Sequence, residues 1–560
     1  MFLQVKRRQR LLAQIRDTWL KGVLEPSIDE NPSISLSLLS WTVDDAQTPL
    51  RCLPVIGSQL IDVYDASRNS LVIIGDEGSG KTTVLLELLR DLWQRAQQDT
   101  QMPIPIMFHL SSWAKKCEPL EKWLAEEWKV LYPTGEFKAG EFLLILDGFD
   151  TICEELQDVC FNAINTYQEM HRNISLVFCC RNTDYEHIQL SLSTQPHSVV
   201  QIQPLTDEQI DVYIYHARCD QAAMKRALES DPSLYALVHR PLPLVMLSQL
   251  YQGSMEPDIR GGDQAELLQN LVAIYVQSQL EPQRRDKMQT NLDASRWLSW
   301  LASHLWQDQI IGIHLEHLLP RWLPSTRWLV WYRLLVSLMT LFAGLFMLTD
   351  LLKGWNLFVL CMWLFIVVIL FFRRPLIGVD SEKSFLRLNW LWLVIGKIGA
   401  LTLVLHISNS WIWILLYLLA LFVLAYVVDT INGFLDKYIL PACDWVTQAG
   451  RRATIAGLFI VILLGAYEVI SLGVIGVYQG LYPGIFVGLC FWLSMGGGSF
   501  LEYWLLHFCF WRSGCFPWRY RAFLDVQVKR KLLFRIGYGY LFRHQMFIRY
   551  FALLQAKAVD

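Results

Sequence analysis

The chain has 560 residues, a formal charge of −3 and an apolar fraction of 53% with 23 Trp. That length exceeds one ordinary core and implies two or more domains, and the near-neutral charge gives no electrostatic indication of a nucleic-acid partner. The apolar excess is concentrated: residues 1–327 have the composition of a water-facing protein, whereas 328–507 have that of a membrane protein.

In chain order, the N-terminus MFLQVKRRQRLLAQIRDTWLKGVL lacks the unbroken apolar core of a signal peptide. Leu11, Leu12, Ile15, Trp19 and Val23 recur at helical spacing with basic residues beside them. This amphipathic helix could dock on the protein's own body or lie on a membrane surface. The rest of 1–50 reads as a linker. The 12 cysteines form no Cys-x-x-Cys pair, and Cys179–Cys180 sit in an apolar run, so they read as reduced, structural thiols.

Residues 71–83, LVIIGDEGSGKTT, contain G-x-x-x-x-G-K-[ST] between an apolar strand (Leu71–Ile74) and a helical pattern of Val84, Leu85, Leu88, Leu89 and Leu92. A helix N-terminus presents unpaired N–H groups and a positive dipole end to an anion, and glycines let the backbone wrap it. Gly75, Gly78, Ser79, Gly80, Lys81, Thr82 and Thr83 are therefore candidates for holding ATP or ADP. Lys81 would reach the terminal phosphates, and the Thr82 hydroxyl would hold Mg²⁺. EFLLILDGFD (141–150) supplies a second buried strand, Phe142–Leu146, with Asp147 at its C-terminal end, where it would bind the metal through water. Asp150 could polarise an attacking water or could N-cap the following helix. Strand 174–180 ends at Arg181, which could sense a γ-phosphate or form a surface ion pair. Further strands are predicted at 105–110 and 198–203, with helices at 120–131 and 154–171. The alternation implies an α/β P-loop NTPase with a parallel sheet covered by helices on both faces.

In sequence, this series of motifs resembles the NACHT branch of the signal-transduction (STAND) NTPases. PIPIMFHLSSWAKK (103–116) is similar to the family's second strand and turn, LLILDGFDT (143–151) to its acidic motif and VFCCRNTDY (177–185) to its sensor strand. VQIQPLTDEQIDVYI (200–214), RPLPLVML (240–247) and GYLFRHQMFIRYFA (539–552) are similar to the strand–helix junction, the helical domain and the winged-helix stretch. The resemblance implies that Pro243 lies near the adenine and that His544 touches a β-phosphate; on spacing alone His544 could equally be a packed helix histidine. Thr151 stands where the family usually has Glu, and Arg549 where its C-terminal stretch has Glu. The N-terminal segment resembles the leader of bacterial membrane-tethered relatives.

From 328 onward about 20 apolar residues suffice for each crossing, and six spans are predicted at 328–348, 355–372, 389–407, 410–428, 453–477 and 484–507. Basic residues fall in alternate loops (Arg373, Arg374, Lys383 and Arg387; Lys437, Arg451 and Arg452) and again after the last span (Arg512, Arg519 and Arg521), which puts both ends on the cytoplasmic side. Lys397 and Glu468 either pair within the bilayer or reflect misplaced span boundaries.

The expected organisation is thus 1–50 helix and linker, 51–204 NTPase core, 205–327 helical domain, 328–507 an all-α polytopic membrane region, and 508–560 a basic, helical C-terminal segment. The expected function is that of an ATP/ADP-switched signalling NTPase with slow hydrolysis, integral to a bacterial inner membrane and self-associating when ATP-bound. By resemblance it would serve defence or stress signalling and answer to an unidentified trigger. An ATP-driven transporter or a nucleotide-binding scaffold are the alternatives.

Overall fold

The computed structural model describes residues 2–351, 454–455, 458 and 498–559, apart from the short stretches 30–33, 44–52, 57–59, 68–69, 115, 133–138, 172–173, 190–196, 253–258, 260–262, 282–290, 309–311, 314–317 and 537–538. Two units divide the chain, Met1–Ile313 with Arg521–Asp560 and His314–Tyr520.

The first unit begins with helix α1 (Phe2–Ile15), which continues as a π-helix over Arg16–Leu24 and ends in α2 (Glu25–Asp29). Of the two placements left open by its pattern, it takes the first. Leu11, Ile15, Trp19, Val23 and Leu24 are buried in the core. Trp19 Nε1 donates to the Tyr132 hydroxyl at 2.9 Å, and Trp93 Nε1 donates to the Leu12 carbonyl at 2.8 Å.

The strands are β1 (Ser37–Val43), β2 (Leu53–Ile56), β3 (Ser70–Ile74), β4 (Ile104–His109), β5 (Phe142–Asp147), β6 (Leu176–Cys180) and β7 (His197–Ile202). They form one sheet in the order β2-β1-β7-β3-β6-β5-β4. The run β7-β3-β6-β5-β4 is parallel, and β1 pairs antiparallel with both β7 and β2. The expected linker within 1–50 therefore supplies a strand of the sheet. Its polar, turn-like flanks hide β1, which takes its stability from the strands on either side of it, β2 and β7.

The parallel strands are continuous apolar runs because both faces are covered; β5 and β6 are buried at every residue. The covering helices include α3 (Leu60–Ala66), α4 (Lys81–Gln98), α5 (Leu120–Leu131), α6 (Glu154–Met170) and α7 (Asn182–Gln189). In α4 the stripe Val84, Leu85, Leu88, Leu89 and Leu92 is buried, each side chain contributing about 1.5–3 kcal/mol.

Helices α8 (Asp207–His216), α9 (Gln221–Ser230), α10 (Pro232–Val238), α11 (Pro241–Leu250) and α12 (Gln264–Leu280) follow. Thr206 and Gln209 close a capping box on α8, and a proline opens both α10 and α11, where its missing N–H has no partner to lose. Helix α13 (Asn291–Gln307) and the short strand β8 (Gly312–Ile313) belong with the C-terminal segment instead.

The second unit contains α14 (Thr326–Leu351), whose side chains are described as far as Leu338, and α15 (Gly498–Arg512). Among the described residues no helix is long and apolar enough to cross a membrane. The predicted spans 355–372, 389–407 and 410–428, nearly all of 453–477 and the first part of 484–507 lie outside them, as do Lys397 and Glu468.

After α16 (Tyr520–Lys529) the chain forms the hairpin β9 (Leu533–Ile536) and β10 (Gly539–Phe542), then α17 (Gln545–Val559). The segment 508–560, expected to be helical and similar to part of a winged-helix region, carries this hairpin between its helices. Strand β10 lies between β9 and β8, with Tyr540 opposite Ile313. One three-stranded sheet is thus assembled from chain on both sides of 314–520.

Candidate functional site

Every parallel strand presents its C-terminal end at the same sheet edge. β6 lies between β3 and β5, so Arg181, which follows β6, emerges between the 75–82 loop and Asp147. Gly78 (φ +79°) and Gly80 (φ +100°) are left-handed, a conformation that costs other residues about 1 kcal/mol or more. A Cβ on Gly75 would lie 2.6 Å from Ser79 Oγ. That hydroxyl is buried and has no hydrogen-bond partner. Such an orphan inside a glycine cradle fits a phosphate as its missing partner.

Lys81 is 7% exposed. Its Nζ donates to the carbonyls of Gly75 and Asp76, each at 3.1 Å, and lies 3.3 Å from Asp150 Oδ2. The Thr82 hydroxyl donates to Asp147 Oδ2 at 2.9 Å. The other oxygen, Asp147 Oδ1, accepts from the Gly148 amide at 2.8 Å and from the Cys179 thiol at 2.9 Å. A hydroxyl and a carboxylate oxygen converging at the end of a phosphate loop suit a hard cation that also takes phosphate and water oxygens. Among the described residues no group of three His, Cys, Asp or Glu side chains could hold a metal alone. Burial raises the Cys179 and Cys180 thiols well above their usual range, so both stay protonated, and Cys179 serves Asp147 as a donor.

Asp150 lies in a 3-10 turn, Phe149–Thr151, and Cys153 occupies the N-cap position of α6. The helix-cap alternative for Asp150 is thereby set aside. Burial pushes the Asp150 carboxyl up, but the charges of Lys81 and Arg181 and the Lys81 hydrogen bond together hold it below its usual value. Arg181 Nη2 donates to the Asp150 carbonyl at 2.9 Å, and its Nε lies 3.9 Å from the carboxylate. The pair is therefore neither a free surface bridge nor fully buried. A cavity of about 350 Å³ adjoins it, lined by Asp150, Arg181, Asp184, Trp306, Gln545 and Ile548 among others. The Thr151 hydroxyl donates to the Gly148 carbonyl. Thr83 is on the first turn of α4.

Two further walls come from distant sequence. The amide of Leu242 donates to the Gly78 carbonyl at 3.1 Å, and a Cβ on Gly78 would lie 3.6 Å from Pro243 Cδ, so α11 closes over the loop. His544 precedes α17, and its Nδ1 accepts from the Met546 amide at 3.2 Å. Burial lowers its pKa; Glu77, Asp150 and Asp147 oppose that and Lys81 adds to it. The C-terminal histidine is thus among the charged groups of the phosphate loop. With Nδ1 accepting, the neutral ring carries its proton on Nε2.

The sequence reading missed one polar group in the site. His109 ends β4 in register with Asp147, and burial lowers its pKa while Asp147 and Asp150 raise it. A polar residue closing a buried parallel strand was the available signal.

Among known proteins, residues 69–221 match the family model described as NACHT domain. No curated protein matches the chain. A solved structure of the Orc1 protein of Aeropyrum pernix in complex with DNA aligns with 46% of this chain and 72% of its own, at 16% identity and a TM-score of 0.27. With the strand order and loop geometry above, the family match identifies residues 69–221 as a NACHT domain with a P-loop NTPase fold.

Proposed function

We propose that this chain is a membrane-anchored signalling NTPase switched by exchange of ADP for ATP. The observation that carries this reading is the placement of His544, a half-buried residue of the C-terminal segment, within the electrostatic reach of Glu77, Lys81, Asp147 and Asp150 of the NTPase core. A wall supplied by a separate segment gives the pocket two states, with and without that wall, and a nucleotide selects between them by differential affinity.

The residues divide the work as follows. Lys81 turns from the loop carbonyls and Asp150 to the phosphates. Thr82 and Asp147 would hold Mg²⁺, which would supply positive charge against the phosphates. Pro243 borders the base, and the Nε2 proton of His544 serves a β-phosphate of ADP. Arg181 meets the γ-phosphate and so separates ATP from ADP. Asp150, held anionic by Lys81 and Arg181, is a weak base, and Thr151 adds no second carboxylate. Hydrolysis is accordingly slow, and the ATP-bound form opens and self-associates.

Membrane anchoring is supported by the second unit. Trp331, Leu334 and Leu338 on α14, and Trp504, Phe508 and Trp511 on α15, are exposed. The exposed charged side chains described in that unit are all arginines: Arg321, Arg327, Arg512 and Arg519. Aromatic side chains bordered by arginine suit the cytoplasmic face of a bilayer. The pairing of β8 with β10, from chain on the two sides of 314–520, supports an even number of crossings for the proposed anchor. A bacterial inner membrane and a role in defence or stress follow from the family resemblance alone; the trigger is a ligand of unassigned class.

The test is to purify the full chain in detergent, identify any bound nucleotide, and compare particle size with ADP and with a non-hydrolysable ATP analogue. Bound ADP and enlargement with the analogue are expected. Absence of nucleotide binding overturns the switch.

A further inference from the structure

Gly148 links the two carboxylates of the site and adopts φ +78°. Glycine is the residue least able to hold one conformation unaided, so something outside it must fix the turn. Its amide is tied to Asp147 Oδ1 and its carbonyl accepts from the Thr151 amide at 3.1 Å and hydroxyl at 2.6 Å. The nearest neighbour of its Cα face is the His109 ring. A Cβ on Gly148 would lie 1.8 Å from Cε1 and 2.2 Å from Nε2 of His109, so the imidazole fills the space that a side chain at 148 would need. The ring is itself oriented: His109 Nδ1 accepts from the Ser111 amide at 3.3 Å and lies 3.1 Å from the Ser111 hydroxyl.

We propose that His109 is a positioning residue for the metal–nucleotide site: its ring, wedged against Gly148, fixes the turn that aims Asp147 at Thr82 and Asp150 at Lys81. This rests on the nucleotide reading above. Removing the ring leaves a void of imidazole size beside the most permissive residue of the turn. Asp147 Oδ2 then loses its fixed approach to the Thr82 hydroxyl, while the 75–82 loop that meets the phosphates is untouched. The effect therefore falls on the Mg²⁺-dependent part of ATP binding and spares the Mg²⁺-independent part.

The test compares the full chain in detergent as wild type, His109→Asn, His109→Ala, Gly148→Ala and the His109→Ala/Gly148→Ala double variant. Asn at 109 keeps an acceptor for the Ser111 amide but has no ring. ATP affinity is measured in Mg²⁺ and in EDTA, and thermal unfolding is recorded alongside. His109→Asn is expected to cut the gain in affinity from Mg²⁺ by about tenfold, the usual scale for an outer-shell partner of a metal site, with affinity in EDTA unchanged. Gly148→Ala is expected to lose at least as much, and the double variant to recover part of that loss because the ring is gone. An unchanged Mg²⁺ gain in His109→Asn, or a double variant no better than Gly148→Ala, overturns the proposal. If the wild type binds no nucleotide, the preceding reading falls, and unfolding alone decides the wedge. A smaller destabilisation by Gly148→Ala when residue 109 is Ala supports it; additive effects reject it.

Discussion

The near and far walls of the pocket are built by different physics. The near wall, residues 75–82, is contiguous and fixed by its own backbone: two left-handed glycines, a buried strand before it and a helix after it. The far wall comes from distant sequence and is held by packing and by single hydrogen bonds such as that of the Leu242 amide to the Gly78 carbonyl. Pro243 arrives on α11, and His544 is held by α17, which packs on α13 and stacks Phe547 on Tyr275 of α12 with ring centroids 5.7 Å apart. A locally encoded wall persists through rearrangement, whereas a packed one can leave as a body. That difference is what a nucleotide switch requires of its pocket.

Breaking the near wall should have the largest effect. Lys81→Ala removes the ammonium from a pocket of carbonyls and carboxylates and should cost about 3 kcal/mol, or about a hundredfold in ADP affinity, read with a fluorescent ADP analogue. Loosening the far wall without touching the pocket should come next. A Cβ on Gly22, in the π-helical segment, would lie 2.6 Å from the Arg535 carbonyl of β9. Gly22→Ala should therefore cost about 2 kcal/mol of docking, seen as faster ADP release and a lower unfolding midpoint. Removing one hydrogen bond of the far wall, His544→Ala, should weaken ADP by about tenfold and ATP less. The smallest expected effect is at half-exposed Arg181, where Arg181→Ala should change the ATP-to-ADP affinity ratio by about threefold.

Acid should separate the walls as well. Burial holds the folded pKa of His544 below its free value, so in this range the unfolded chain binds more protons than the folded one. The stability from this group is complete above about pH 6.5 and is lost as pH falls from there toward the folded pKa. His109 follows the same sign. The Asp150 carboxyl, held low by Lys81 and Arg181, contributes stability above about pH 4 that is lost as pH falls through its folded pKa. His544→Gln should flatten part of the decline below pH 6.5 in an unfolding series and leave the more acidic limb in place.

The sequence exposed whatever is encoded locally. The Lys81 loop, Asp147 at a strand end and Arg181 after an apolar run could be read because a buried parallel strand and a phosphate loop each have a contiguous pattern. His109 could not be assigned, because its role depends on the register of β4 with β5 and on a glycine in another motif. Strands β1 and β8 were hidden because each takes its stability from partners distant in sequence, β1 from β7 and β8 from β10. The hairpin at 533–542 was not assigned from the helical pattern of its segment, although the glycines at 537 and 539 are a turn signal. The π-helical turn at 16–24 keeps an apolar spacing close enough to 3.6 to pass as ordinary helix. Cys179 was read as structural filling; its bond to Asp147 gives it a place beside the metal site.

The sheet sewn from β8 on one side of 314–520 and β9–β10 on the other has a consequence for biogenesis. During synthesis the phosphate loop is complete early, but the ribosome must deliver the whole intervening block before residue 544 exists to close the pocket. A nascent chain stalled inside that block holds a cradle without its C-terminal wall, so the pocket is complete only once residues 314–520 have been made.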